Sequence, residues 1–237
     1  MGDIGTGEDT AVGRSLRLSS RSGRIEVVAE ERHDIVVEKR GEVLPLDAPV
    51  DGRITVTSRS SNLTARVPLG TDVVVGTTSG RVELRGDLGS VAVTSMSGRV
   101  KVEAARQVGL RSTSSRVSVA RCQGEARIDT FSGRIEVGHA GAARLSTVTG
   151  RIAVDSVEGM LRARTVSGRV HAALTGDEVD VRLETMSGRV DLVVPNGARP
   201  AHEFSSKRGQ VRSSVPEGSN GLIRARTVSG GINITEV

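Results

Sequence analysis

The sequence is almost without aromatic side chains. Its 237 residues include no Trp, no Tyr and two Phe, at Phe131 and Phe204. A compact core of this size normally uses large rings to fill space. Their scarcity argues against an ordinary globular packing and favours a narrow interior filled by Val, Ile, Leu and Ala. It also weakens any prediction of nucleic-acid binding by base stacking.

Patterns that carry chemistry are equally scarce. Cys122 is the sole cysteine, so no internal disulfide can form, and the four His residues include no pair at metal-ligand spacing. The sequence has no phosphate-binding loop, dinucleotide fingerprint, nucleophile elbow or calcium-binding nonapeptide. We therefore expect no catalytic residue, no bound metal and no cofactor.

The chain also lacks a long apolar run. No stretch approaches membrane-spanning length, and no apolar signal segment follows Met1. The sequence therefore predicts a protein without a transmembrane segment, located in the cytoplasm.

The formal charge is +5, but it is unevenly distributed. Residues 1–13 are polar and Gly-rich, with three acidic residues and no Lys or Arg, so we expect them to form a flexible acidic tail. The basic remainder admits a polyanion as partner, such as nucleic acid, an anionic polymer or an acidic lipid surface. The alternative is that Lys and Arg only solvate an outer surface.

What the chain has in abundance is one repeated phrase: a small hydroxyl residue, then Gly, then Arg, then Val or Ile. It appears first at residues 22–25 and returns from residue 79 onward. Its Gly position falls at residues 80, 98, 115, 133, 150, 168, 188, 209 and 230, with Ser115 as one exception to Gly. Steps of 17 to 21 residues are too short for a two-helix repeat or a propeller blade and suit one coil of a β-solenoid.

Apolar and polar residues alternate within each repeat, which predicts two short strands per coil. Stacked coils would give two inward columns: the Val or Ile that follows the Arg, from Val82 to Ile232, and the apolar residue two positions later, from Leu84 to Leu192. We predict an all-β, single-chain parallel β-solenoid, right-handed, in residues 14–237. Residues 14–76 would form irregular N-terminal coils or a cap, and residues 77–237 the regular coils. Gly accepts the positive φ that a tight corner demands, so Ser115 predicts a local distortion.

Stacked coils would align the Arg of each phrase in a column: Arg81, Arg99, Arg116, Arg134, Arg151, Arg169 and Arg189. Guanidinium groups about 5 Å apart repel by roughly 1 kcal/mol even in water. One hypothesis is an anionic partner along this column. The other is internal neutralisation by acidic residues on the same outward rows, which are Glu83, Glu103, Glu136 and Asp191.

A second column precedes the phrase and contains Met96, Phe131, Val148, Val166 and Met186. A neighbouring row of Ser and Thr shares its strand, and strict alternation cannot bury both rows. If the hydroxyl row points inward and bonds up the stack, the Met/Phe/Val column becomes an exposed stripe for a partner. If the corner changes the alternation, the apolar column joins the core; both alternatives stay open.

The C-terminal end offers a third candidate contact. The last strand, with Ile232 and Ile234, is expected to close the stack and to present unpaired backbone groups. A second copy could add to this edge end to end, giving a homo-oligomer or a filament.

The phrases resemble the bacterial putative-adhesin repeat family, a domain of unknown function. The resemblance rests on Val67–Gly70, which leads through Val73–Val75 into Thr78–Leu84, and on the Ser-Gly-Arg-Val phrases that follow. It implies a bacterial β-solenoid, and some relatives are linked to the cell envelope or its stress responses. It carries no catalytic residues over to this chain.

Together these observations predict a non-enzymatic scaffold that binds a protein partner or itself along a solenoid face. A polyanion-binding module that uses the Arg column is the alternative. A polysaccharide-active β-helical enzyme is a third, weakened because Asp129 and Asp155 lie two coils apart without a carboxylate cluster.

Overall fold

The computed structural model describes residues 15–46, 52–176 and 179–236. The predicted acidic tail, residues 1–13, lies outside these ranges. The described residues form one mixed sheet of twelve strands, and the prediction of an all-β chain is confirmed. None of them forms a helix of the length and apolarity that crossing a bilayer requires. In chain order the strands are β1 (Ser15–Glu30), β2 (Val36–Lys39), β3 (Glu42–Val43), β4 (Arg53–Ser58), β5 (Leu63–Pro68), β6 (Asp72–Val157), β7 (Leu161–Leu174), β8 (Val179–Val194), β9 (Ala201–Ser206), β10 (Val211–Ser213), β11 (Gly221–Ser229) and β12 (Ile232–Glu236).

The repeated phrase lies over itself in successive coils. Strand β6 is 86 residues long because it runs through the corner positions 80, 98, 115, 133 and 150 without interruption. Strand β6 pairs in parallel with β7, and β7 with β8, which places Gly150, Gly168 and Gly188 in register. The architecture is therefore β-solenoid-like.

The predicted inward columns form the core. The second column, Leu84, Val102, Val119, Val137, Val154, Ala172 and Leu192, is buried throughout. The first column is buried at eight of its nine positions, from Val82 to Val190 and at Ile232. Its exception is Val211, which is 39 % exposed because its strand lies at the end of the stack.

The corners bring backbone against backbone. Gly98 and Gly150 have φ of 126° and 152°, and a Cβ on either residue would overlap the carbonyl oxygen of the corner beneath it. Glycine is therefore required by conformation and by space. Ser115 does not have a positive φ, so this corner differs from its neighbours, and its hydroxyl accepts a hydrogen bond of 2.5 Å from Ser112 Oγ.

At the C-terminal end the coils do not follow chain order. Strand β12 lies between β8 and β10, and β11 lies between β8 and β9. Ile232 and Ile234 are 1 % and 0 % exposed. The prediction that this strand closes the stack with unpaired backbone groups is therefore wrong, because the last coil is inserted beneath the one that precedes it.

The N-terminal end has the same arrangement in reverse. Strand β1 pairs on one side with β4 and β5 and on the other with the start of β6, so the first coil in the sequence is second in space. Strand β2 covers the outer edge of β5 in antiparallel pairing, and β3 extends this hairpin. The first and last described coils are thus each held between two neighbouring coils.

Replacing Gly150 by Ala tests the corner packing. The added Cβ meets the carbonyl oxygen of Gly133, and the unfavourable φ alone costs about 1–3 kcal/mol. We expect the melting temperature, followed by circular dichroism, to fall by several degrees. Gly109→Ala is the matched control, because the nearest atom to its Cβ is 3.9 Å away. Equal melting temperatures for the two variants would contradict this account of the corners.

Candidate functional site

Each corner carries two outward positions three residues apart. In one coil these are Phe131, which precedes the Ser-Gly pair, and Arg134, which follows it. Both side chains are exposed on the outside of the corner, between the buried Thr130 and Ile135. Parallel register extends the two positions into two rows along the coil axis, which we call the apolar row and the corner Arg column.

The corner Arg column is continuous and exposed. Arg24 is in register with Arg81, and Arg151 with Arg169 and Arg189. The column contains, in spatial order, Arg24, Arg81, Arg99, Arg116, Arg134, Arg151, Arg169 and Arg189, all exposed. Seven strand spacings of about 4.8 Å give it a length of about 34 Å.

Internal neutralisation accounts for three of these residues. Glu83 Oε1 lies 3.0 Å from Arg24 Nη2 and 3.8 Å from Arg81 Nε, and Glu136 Oε1 lies 3.5 Å from Arg134 Nη1. Each acidic residue shares the outward face of its strand with the Arg two positions earlier.

The other five have no such partner. In the described part of the chain, no carboxylate oxygen lies within 4.0 Å of Arg99, Arg116, Arg151, Arg169 or Arg189. In four of these coils the position two residues on holds Lys101, Ser118, Ala153 or His171. In the fifth it holds Asp191, one of the predicted counter-charges, but no ion pair within 4.0 Å joins it to Arg189 in the described part of the chain. Glu103 instead accepts a hydrogen bond from Gly86 N, at 3.4 Å.

At the end of the column where Arg24 and Arg81 are paired, the ion pair with Glu83 shifts pKa values. The hydrogen bond from Arg24 lowers the pKa of Glu83, and a second one from Arg85, at 3.0 Å, acts in the same direction. Glu83 in turn raises the pKa of Arg24.

The apolar row is exposed, and the hydroxyl row beside it is buried. Met96, Phe131, Val166 and Met186 are 59 %, 61 %, 40 % and 57 % exposed, and Val148 is half-buried. The hydroxyl row is at most 6 % exposed at Ser95, Thr130, Thr147, Thr165, Thr185 and Thr227, and its remaining member, Ser112, is half-buried. Alternation therefore continues up to the corner, which decides between the two alternatives that the sequence left open.

The buried hydroxyls do not bond up the stack as predicted. Ser95, Thr130 and Thr147 donate to the carbonyl oxygen two residues on in their own coil, at 3.1–3.3 Å. The corner turns this carbonyl back toward the hydroxyl. Thr165 and Thr185 Oγ1 have no hydrogen-bond partner among the described residues.

The insertion of the last coil lengthens the apolar row. In sequence order Lys207 separates Met186 from Val228, but β11 lies directly on β8, so Val228 follows Met186 and Lys207 lies outside it. Val228 is 42 % exposed. Six strand spacings from Met96 to Val228 give about 29 Å, interrupted by Thr113.

A second Arg column was missed by the sequence analysis. Arg144, Arg162, Arg182 and Arg224 are in register on the strands that lead into the corners. The sequence pattern that could have predicted this column is an Arg between two apolar residues, three positions before the Thr of the hydroxyl row. Unlike the corner column, it is largely neutralised: Arg144 pairs with Glu125, Arg182 with Glu184 and Arg224 with Glu203, and the hydrogen bond from Arg224 lowers the pKa of Glu203.

The remaining His, Cys, Asp and Glu side chains that were considered for metal binding or catalysis do not cluster in the described residues. Within residues 15–46, 52–176 and 179–236, no group of three His, Cys, Asp or Glu residues is placed to hold a metal ion. Burial raises the pKa of the Cys122 thiol. Asp129 lies 3.8 Å from Arg127.

The fold and the two rows define a β-solenoid-like repeat protein whose surface is organised in lines along the coil axis. A family profile, Toastrack DUF4097, matches residues 13–235, and the chain belongs to this family. A solved structure described as a putative cell adhesion protein from Clostridium sporogenes is similar at 7 % identity, covering 95 % of this chain and 94 % of that one with a TM-score of 0.23. No curated protein matches the sequence.

Glu83→Gln tests the paired end of the Arg column. A carboxylate with a lowered pKa stabilises the fold above its unfolded pKa of about 4.3, and this contribution is lost as the pH falls through the folded value. We expect the variant to melt below the parent at pH 7 and the difference to shrink toward pH 2.5, measured by circular dichroism. The exposed Glu42→Gln is the control. An equal loss at both pH values would show that the effect is not electrostatic.

Proposed function

We propose that this chain is a non-enzymatic scaffold, a right-handed parallel β-solenoid that binds an anionic partner along its corner Arg column. The observation that carries the proposal is the set of five exposed Arg residues in this column that form no ion pair with a carboxylate of the described residues. Each exposed guanidinium offers five donors in a planar fork, a geometry suited to phosphate, sulfate or carboxylate groups.

The contrast between the two Arg columns supports this proposal. Both are built by the same register, but the second column is matched by Glu125, Glu184 and Glu203 while most of the corner column is not. Repulsion between neighbouring guanidiniums is therefore unrelieved mainly at the corner, and an anion aligned with the coil axis would relieve it.

Heparin affinity chromatography tests the binding of an anion. We expect the protein to elute at a salt concentration that falls markedly in R116Q/R151Q, because binding through counterion release depends steeply on ionic strength. R144Q/R182Q removes the same net charge from the neutralised column and should elute close to the parent. If both double variants shift equally, net charge alone governs retention and the proposal fails.

Self-association through the coil ends is a second candidate. The structure places the available edge at β9 and β10 instead of at β12. Among the described residues, β9 pairs only with β11, and β10 only with β12, so the outer edges of β9 and β10 are unpaired. Such edges accept a further strand, and a head-to-tail contact propagates. Sedimentation velocity between low and high micromolar protein should show a rising sedimentation coefficient, reduced in V211K; a constant monomer at all concentrations would exclude it.

A link to the cell envelope and a cytoplasmic location stay predictions. Fractionation of native cells, with the protein followed by antibody, addresses both.

A further inference from the structure

We propose that the anionic partner is the surface of a bilayer that contains acidic phospholipids, and that the apolar row enters this surface beside the corner Arg column. The inference rests on the proposed function, since it names the partner of the same column. Its evidence is the position of the apolar row, which anion binding alone leaves unexplained.

The two rows share one exposed edge. Phe131 and Arg134 are separated by two small residues at the corner, and the same offset recurs at Met96 and Arg99 and at Met186 and Arg189. An apolar line of about 29 Å therefore runs parallel to a cationic line of about 34 Å. Surfaces that lie in the headgroup region combine apolar groups at the acyl boundary with Lys or Arg near the phosphates.

The length and composition of the two rows suit contact with a flat surface better than binding of a small ligand. Large exposed apolar side chains are rare in lines on soluble proteins unless a partner covers them. An edge along which both rows extend for about 29 Å is longer than a small ligand, which binds in a concave site. It can rest on a flat, deformable surface along its whole length.

Charge decides against the other occupants. A second copy placed corner to corner would bring two unneutralised Arg columns together, and like charges across an interface cost affinity. Nucleic acid and other hydrophilic polyanions would satisfy the Arg residues but leave Phe131, Met96 and Met186 in water. An acidic bilayer satisfies both rows at once.

The absence of Trp from the sequence permits a direct test. F131W introduces one fluorophore into the apolar row, and L69W introduces one at a site that is 50 % exposed and distant from the corner in the sequence repeat. Each is titrated with 100-nm vesicles of phosphatidylcholine alone, or with phosphatidylcholine and phosphatidylglycerol at a ratio of 7:3, at low and high NaCl.

We expect a blue shift of the emission of F131W with the acidic vesicles and none with L69W, together with quenching by lipids brominated on the acyl chain. Co-sedimentation of the otherwise unaltered protein should weaken by about tenfold or more in M96S/M186S, given the burial energy of a large apolar side chain, and comparably in R116Q/R151Q. R144Q/R182Q and L69S are the matched controls.

The outcomes separate the two proposals. Heparin retention that depends on the corner column, without co-sedimentation or a blue shift, overturns the bilayer inference and leaves the anion-binding scaffold standing. Loss of both overturns both. Equal binding to neutral and acidic vesicles overturns the role of the Arg column, and a blue shift produced by an acidic protein but not by vesicles would assign the apolar row to a protein partner instead.

Discussion

The close approach of backbones at the corners is the constraint on which the rest of this structure depends. At most corners a coil lies directly on the one beneath it because a glycine takes a positive φ and leaves room for a carbonyl oxygen, as Gly98 and Gly150 do. Once the corners are in register, the strand positions that flank them are in register as well, as far as the irregularity between Val154 and Val157. Side chains of one repeat position therefore become a column, whether they face the core or the solvent.

Because equivalent positions stack in columns, the charged side chains of this protein are arranged in rows along the coil axis. A single change of residue type two positions after the Arg decides whether the guanidinium is neutralised: Glu136 lies 3.5 Å from Arg134, whereas Ala153 offers nothing to Arg151. Because the repeat copies the Arg and varies the position beside it, the column changes from paired to unpaired along its length. The same geometry produces a second column in which acidic neighbours neutralise Arg144 and Arg182.

Every open stack of strands has terminal strands that are hydrogen-bonded on one side only. A terminal coil in chain order would be held on one side only. Here the first and last described coils, β1 and β11–β12, are each inserted one place inward and are paired on both sides. The outer places are taken by β4–β5 and β9–β10, whose two ends are both anchored within the chain. As a result, the outer edges of β9 and β10 pair with no other strand of the described residues.

The sequence by itself determined the repeat, the all-β class, the inward columns and the corner Arg column, because each follows from period and alternation, which are local properties. It could not determine how the stack ends, since coils with the same pattern pair equally well in more than one order. Only the tertiary structure placed Ile232 and Ile234 inside the stack and Val228 next to Met186. It also decided that alternation persists to the corner, burying Thr130 and exposing Phe131, because that depends on where the chain turns, which the backbone contacts between coils set.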